Sequence, residues 1–147
     1  MKIGTRLPSL QMIWSGAFLL TVTGFCIAST AQGMSLEAHI RELTGPNAVD
    51  CGLHRRMDEE AMMRSLKCVI DAATAGKSSR VVISWLGIDS EGAEGLLSKA
   101  DGKIMTFYYD SSPCGGGSRC RERFEIRPCM SPTVGMNQGQ LSFVCKD

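Results

Sequence analysis

The cysteines limit the fold of this chain more than any other feature of the sequence. Seven occur in 147 residues, and six of them, Cys51, Cys68, Cys114, Cys120, Cys129 and Cys145, follow an N-terminal segment typical of exported proteins. An even number of cysteines in an exported chain predicts disulfides, and we expect three. Zinc binding is the alternative, but no two cysteines have the Cys-x-x-Cys spacing typical of tetrahedral sites.

Residues 1–31 have the pattern of a secretory signal peptide. Lys2 and Arg6 precede an uncharged run from Met12 to Ala28, and small residues follow it up to Ala31. Cleavage after Ala31 removes these two basic residues and no acidic one, so the net charge changes from +1 to −1. We expect a secreted or periplasmic protein with one domain over residues 32–147 and no membrane span. An uncleaved anchor, holding a structural protein at the envelope, is the alternative.

Two helices are predicted in the first half of this domain. The first is a short helix that begins after Ser35 and ends at Thr44-Gly45-Pro46, and we expect it to be peripheral. Residues 47–53 are predicted to form a loop. Asp58 then caps a longer helix that ends near Gly76. Its apolar residues recur on one face, at Met62, Leu66, Val69, Ile70 and Ala73.

The second half has the pattern of β-strands. Strands are predicted over residues 81–88, 103–109, 121–127 and 140–145, and Asp101-Gly102 predicts a two-residue hairpin turn. Helices followed by strands favour an α+β fold, with one main amphipathic helix packed on an antiparallel sheet of about four or five strands. In that arrangement the favoured disulfides are Cys51–Cys68, Cys114–Cys120 and Cys129–Cys145, although six cysteines allow many connectivities.

Catalytic patterns are sparse in this sequence. The chain has no nucleophile elbow, no zinc-protease helix motif, no phosphate-binding loop and no dinucleotide fingerprint. His39 and His54 are candidates for the acid and base of a small exported hydrolase such as a nuclease. Their placement in a short helix and a loop instead predicts two surface histidines, so we assign no catalytic residue and no cofactor.

Oxygen-bearing side chains crowd the segment from Asp89 to Glu94, which a hard cation such as calcium can use as ligands. Their spacing fits no calcium-loop template, and a solvated turn explains the same residues. We therefore predict no metal site.

Two neighbouring segments are the candidate binding regions. Glycine conformational freedom lets the backbone amides of Gly115, Gly116, Gly117 and Ser118 converge on an anion, although a disulfide-closed turn is the simpler interpretation. The following strand carries basic residues on the face opposite Phe124 and Ile126. The candidate partner-binding residues are Arg121, Arg123 and Arg127 on this face and Arg119 just before the strand, although an ordinary solvated sheet face explains the same residues.

These observations lead to a hypothesis about function. Arginine pairs bidentately with carboxylates, so we expect contact with a partner protein or an acidic surface, while the net charge and the lack of interleaved aromatic residues argue against nucleic acid. The leading hypothesis is an exported, non-catalytic, protein-binding module. The small hydrolase using His39 or His54 and the envelope-anchored structural protein are the alternatives.

Overall fold

The structure, a computed structural model, describes residues 33–55, 58–115 and 120–146. The predicted signal peptide lies outside the described residues, and so do Gly116, Gly117, Ser118 and Arg119. Neither helix of the described part is long and apolar enough to cross a membrane.

Helix α1 (Leu36–Thr44) begins and ends where the sequence predicts. The Ser35 side chain accepts a hydrogen bond from the Ala38 amide, and Gly45, with φ of 79°, follows the last turn. The prediction that this helix is peripheral is wrong. Ile40 is 1% exposed and joins a core cluster with residues of the sheet. A short helix with one deeply buried side chain is a structural part of the fold.

Residues predicted as a loop form strand β1 (Val49–His54). It pairs in parallel with β2 and carries an irregularity between Asp50 and Leu53. Asp50 and Gly52 are poor strand formers, so local propensity does not indicate a strand here. The hydrogen bonds to β2 supply the stabilisation that the local sequence lacks. Helix α2 (Glu59–Thr74) follows, with Asp58 accepting from the Ala61 amide at its start.

A five-stranded sheet forms the centre of the described chain, in the order β1-β2-β3-β4-β5. Its remaining strands are β2 (Ser79–Leu86), β3 (Glu91–Ser98), β4 (Ile104–Asp110) and β5 (Arg123–Pro128). The expectation of a purely antiparallel sheet is wrong, because β1 and β2 run parallel while the other pairs are antiparallel.

The hairpin between β3 and β4 lies at the predicted place but is longer than predicted. The Gly102 amide donates to Lys99 O, and the Lys99 amide donates to Lys103 O. Three residues therefore form the loop, and Gly102, with φ of 81°, occupies the left-handed position that such a loop requires.

Two further strands, β6 (Ser131–Asn137) and β7 (Gln140–Lys146), form a separate two-stranded antiparallel sheet. Strand β6 was not predicted, because Pro132 and Gly135 within it are both unfavourable in strands. The disulfide Cys129–Cys145 connects the residue after β5 to β7. It therefore ties this small sheet covalently to the segment that leaves the large sheet.

Each face of the large sheet contributes residues to a buried core cluster. Val82, Leu97 and Phe107 cluster with Ile40 of α1. The alternate residues Val81 and Leu96 belong to a second cluster. That cluster also contains residues of α2 and β7, namely Met62, Leu66, Val69 and Phe143. The remaining disulfides are Cys51–Cys68 and Cys114–Cys120, so the structure contains the three pairs that the sequence favours.

Candidate partner-binding groove

Strand β5 presents a charged face and an apolar face. Arg123, Glu125 and Arg127 alternate with Phe124 and Ile126, and Phe124 packs against the cluster on the α1 side. The expected separation of basic and apolar side chains is therefore present between residues 123 and 127.

The two other predicted basic residues precede β5 in the sequence. Arg121 is exposed and precedes β5, so strand geometry does not align it with Arg123. Arg119 lies outside the described residues. The basic face that can be described therefore consists of Arg123 and Arg127.

An acidic side chain links these two arginines. Nε and Nη2 of Arg123 donate to Glu125 Oε1 at 2.8 and 2.6 Å, and Nη2 of Arg127 donates to Glu125 Oε2 at 3.4 Å. The hydrogen bonds from Arg123 lower the pKa of the Glu125 carboxyl and raise the pKa of the Arg123 guanidinium. Glu125 therefore neutralises part of the positive charge on this face, and it compensates Arg123 more than Arg127.

The charged face lines a groove of about 820 Å³ between the large sheet and the β6–β7 sheet. Tyr108 of β4 and the three charged residues of β5 lie on one side, while Ser142 and Val144 of β7 lie on the other. Such a volume is in the range of sites that take up a ligand or a short segment of a partner, about 300–1,000 Å³. We call this feature the groove.

Apolar and aromatic side chains accompany the charges in the groove. Met130 is 82% exposed and Met136 is 68% exposed, and both line it. The guanidinium carbon of Arg123 lies 5.8 Å from the centre of the Tyr108 ring, within the range of a cation–π contact. The groove thus combines a cationic, an aromatic and a flexible apolar component.

Glu94 also lines the groove, where Ser142 Oγ donates to its Oε1 at 2.7 Å. This contact connects β3 with β7. Glu91 and Glu94 both lie within β3, so the turn expected across these residues ends earlier than predicted. Among the described residues, no group of three or more His, Cys, Asp or Glu side chains is placed to hold a metal ion.

The two histidines occupy separate and partly buried positions. The His39 ring stacks on Phe124 with centroids 4.3 Å apart and planes 4° from parallel, and its Nε2 lies 3.5 Å from Glu122 Oε1. His54, at the end of β1, places Nε2 3.2 Å from Ser65 Oγ, which donates to Cys51 O. The expectation of two surface histidines is therefore wrong, since the His39 side chain is only 17% exposed.

These contacts differ from those of an acid–base pair. His39 contacts residues of the α1 side of the sheet, His54 contacts α2, and neither ring lines the groove. The structure does not bring together the two residues of the hydrolase hypothesis.

The glycine loop is described only at its first residue. Gly115 has φ of 80°, its amide donates to Ser112 O, and Ser112 Oγ donates back to Gly115 O. These bonds form a tight turn next to Cys114. Anion binding by the following residues stays a prediction.

Sequence reasoning did not find several residues of the groove. The sequence indicates ordinary strand positions for Tyr108 and Ser142, while Met130 precedes and Met136 lies within a strand that local propensity does not predict. The alternation in β4 places Tyr108 opposite Phe107 and Tyr109, and this signal could have identified it. The positions of the two methionines depend on how the small sheet folds back, which no local pattern indicates.

Comparison of the chain with protein-family models, curated proteins and solved structures finds no match.

Proposed function

We propose that this chain is an exported, disulfide-stabilised module that binds a partner protein in the groove and does not catalyse a reaction. The observation that carries the proposal is the groove itself, in which Arg123, Arg127, Tyr108, Met130 and Met136 lie together. Arginine, tyrosine and methionine are enriched where proteins contact each other, because they combine large contact area with polar or adaptable ends.

The disulfides support the exported part of this proposal. Three cysteine pairs are bonded, which indicates an oxidising environment. Secretion or periplasmic residence is the compartment that we propose, because the uncharged N-terminal run provides a route to it.

The edges of the large sheet favour recognition by side chains over recognition by strand addition. Strand β1 at one edge is irregular between Asp50 and Leu53, and the Asp50 side chain accepts from the Gly52 amide. Strand β5 at the other edge carries alternating charges and ends in Pro128, which has no amide hydrogen to donate. Irregularities, charges and proline are the features that discourage pairing with another strand. A partner is therefore better accommodated in the groove.

Site-specific photocrosslinking in the native host tests this proposal. A benzophenone amino acid replaces Met136 at the groove or, as a matched control, Met63, which is 51% exposed on α2 and does not line the groove. We expect a discrete protein adduct from position 136 and none from position 63, with the partner identified by mass spectrometry. Adducts of equal yield from both positions, or from position 63 alone, contradict the proposal, and so does the absence of any adduct.

A further inference from the structure

We infer that the segment taken up by the groove presents a carboxylate side chain to Arg127 and, beside it, an apolar side chain to Met130 and Met136. This inference rests on the proposed function and adds the chemistry of the partner. It follows from the hydrogen bonds of the groove, because some of its polar groups already have partners within the chain and others have unused donors.

Both carboxylates of the groove are already hydrogen-bonded. Glu94 accepts from Ser142 Oγ at 2.7 Å, and both oxygens of Glu125 accept from arginines. Further acceptor capacity remains on these oxygens, but a basic ligand would have to compete with Arg123 for Glu125. Glu125 is therefore a poor anchor for a cationic partner, and one oxygen of Glu94 is already occupied by Ser142.

Arg123 is similarly engaged. Two of its donors bind Glu125 Oε1, and its guanidinium lies beside the Tyr108 ring. Its charge is compensated by an adjacent carboxylate at hydrogen-bonding distance. Arg123 thus helps to shape the groove and holds Glu125 in place.

Arg127 differs from the other three charged residues. Its side chain is 75% exposed, and among the described residues its side chain has one hydrogen bond, to Glu125 at 3.4 Å. A guanidinium has five N–H donors in a planar fork that matches a carboxylate. Within the described part of the chain, most of these donors face no protein acceptor, so Arg127 can still form a bidentate ion pair with a ligand.

The formal charges of the groove do not oppose this pairing. Arg123 and Glu125 compensate each other directly. Glu94 lies on β3, two strands away from β5, which corresponds to about 10 Å at the usual interstrand spacing. A carboxylate hydrogen-bonded to Arg127 is therefore closer to this guanidinium than to Glu94, so the attraction exceeds the repulsion. The local field at Arg127 therefore attracts an anion.

The apolar part of the ligand follows from the two methionines. Met130 and Met136 are both largely exposed, and unbranched thioether side chains adapt to ligands of different shape. Burial of these side chains by an apolar ligand side chain removes their surface from water, which stabilises the complex. A carboxylate on Arg127 and an apolar group on the methionines together describe an acidic-apolar peptide segment.

An anionic membrane surface fits the groove less well. Binding to anionic lipid depends on several free basic side chains, each adding about 1 kcal/mol. Here Arg127 has free donors, while Arg123 is engaged by Glu125. The observations therefore favour a peptide over a lipid headgroup.

The test uses capped octapeptide pools with the two central residues fixed as Glu-Leu, Gln-Leu, Lys-Leu or Glu-Ser, and the other positions drawn from Gly, Ala and Ser. Binding to the exported protein is followed by the ¹³C-methyl NMR signals of Met130 and Met136. We expect the Glu-Leu pool to bind about tenfold more tightly than the Gln-Leu pool, because a charged hydrogen-bonded pair is lost. The Lys-Leu and Glu-Ser pools should also bind more weakly than Glu-Leu.

Three variants assign this preference to one side chain. Arg127→Gln should remove the tenfold preference for Glu-Leu, Arg127→Lys should retain only part of it, and Arg121→Gln should retain it fully. Equal binding of Glu-Leu and Gln-Leu, a preference for Lys-Leu, or the same loss in Arg121→Gln overturns the inference. So do methionine shifts produced by phosphatidylglycerol vesicles but not by peptides, or shifts that change with protein concentration alone.

Failure of this inference is distinguishable from failure of the proposed function. A crosslinked partner at position 136 that persists undiminished in Arg127→Gln, together with no preference among the peptide pools, overturns the inference and leaves the proposed function standing. Absence of a partner at position 136 overturns the proposed function itself.

Discussion

The two faces of β4 and β5 carry similar side chains but have different surroundings. On the α1 side, Tyr109 is 5% exposed and Phe124 stacks on His39. On the groove side, Tyr108 is 37% exposed and lies beside Arg123. We call the first the sealed face and the second the groove face.

One pair of strands therefore has a packed side and an open side, and the open side is the one that we propose binds a partner. On the sealed face, Tyr109 and Phe124 pack within the chain and contribute to the free energy of unfolding, while Ile126 at the end of the face is 42% exposed. On the groove face, exposed aromatic and apolar groups and free donors remain, and these are available to a partner. Substitutions on the two faces should therefore separate stability from binding.

The largest expected effect comes from adjacent tyrosines of β4. Tyr109→Ala should lower the free energy of unfolding by about 3–5 kcal/mol, because a large buried ring is replaced by a cavity. Tyr108→Ala should lower it by less than about 1 kcal/mol and yet weaken partner capture. Urea denaturation measures both variants. Equal destabilisation by the two substitutions would contradict the division of the strand into two faces.

Removing the disulfide Cys129–Cys145 is expected to lower both the stability of the protein and its capture of a partner. Cys129 is 3% exposed, and Cys145 lines the groove. Replacing both cysteines with Ala should cost about 2–5 kcal/mol of stability, as for other structural disulfides. Because the link also fixes the β7 side of the groove, adduct yield at position 136 should fall as well. Two measurements check this prediction, namely the temperature at which half the protein is unfolded and the adduct yield at position 136. An unchanged yield would show that the groove does not need this link.

A smaller effect is expected at His39 on the sealed face. Stacked rings contribute about 0.5–1.5 kcal/mol beyond their buried area, so His39→Ala should destabilise the protein by more than about 0.5 kcal/mol. Partner capture should be unchanged, because His39 does not line the groove. A stability change below about 0.5 kcal/mol is typical of surface substitutions, and it would indicate that His39 occupies the surface position that the sequence predicts.

Glu122 gives the sealed face a pH dependence. The Met34 amide donates to Glu122 Oε1 at 2.7 Å, and this bond, with a further contribution from His39, lowers the pKa of the Glu122 carboxyl. Its contribution to stability is therefore present above the ordinary Glu pKa of about 4.3 and is lost as the pH falls through the lower folded-state value.

Comparing unfolding curves of the wild type and Glu122→Gln across this acidic range measures the contribution of the carboxyl. The stability difference between them should shrink as the pH falls. A difference that stays constant with pH would show that Glu122 does not stabilise the fold through its charge.

Local signals in the sequence predict the helices and the disulfides well. Ser35 and Asp58 cap helices because their side chains can accept amide hydrogen bonds from the first turn, which depends on neighbouring residues alone. The three disulfide pairs are those that the sequence favours, although Cys51 lies in a strand instead of a loop, and β7, which carries Cys145, pairs with β6 instead of β5. The helix caps need no knowledge of distant contacts.

Features that depend on distant contacts were predicted less well. Strand β1 forms because it pairs with β2, and β6 forms because β7 pairs with it, while their own sequences are weak strand formers. Part of the groove could be predicted, since alternation places Arg123 and Arg127 on one face. Its second side could not, because the position of Met136 and Ser142 depends on how the small sheet folds back.

Charge reversal at Arg127 shows whether this side chain of the groove face contacts the partner. Adduct yield at position 136 is measured in the native host for Arg127→Glu and for the matched exposed control Arg121→Glu, with unfolding free energy measured for both. We expect both variants to stay within about 0.5 kcal/mol of the wild type in stability, while Arg127→Glu loses most of the adduct and Arg121→Glu retains it. Full adduct yield in Arg127→Glu, or an equal loss in the control, would contradict the account.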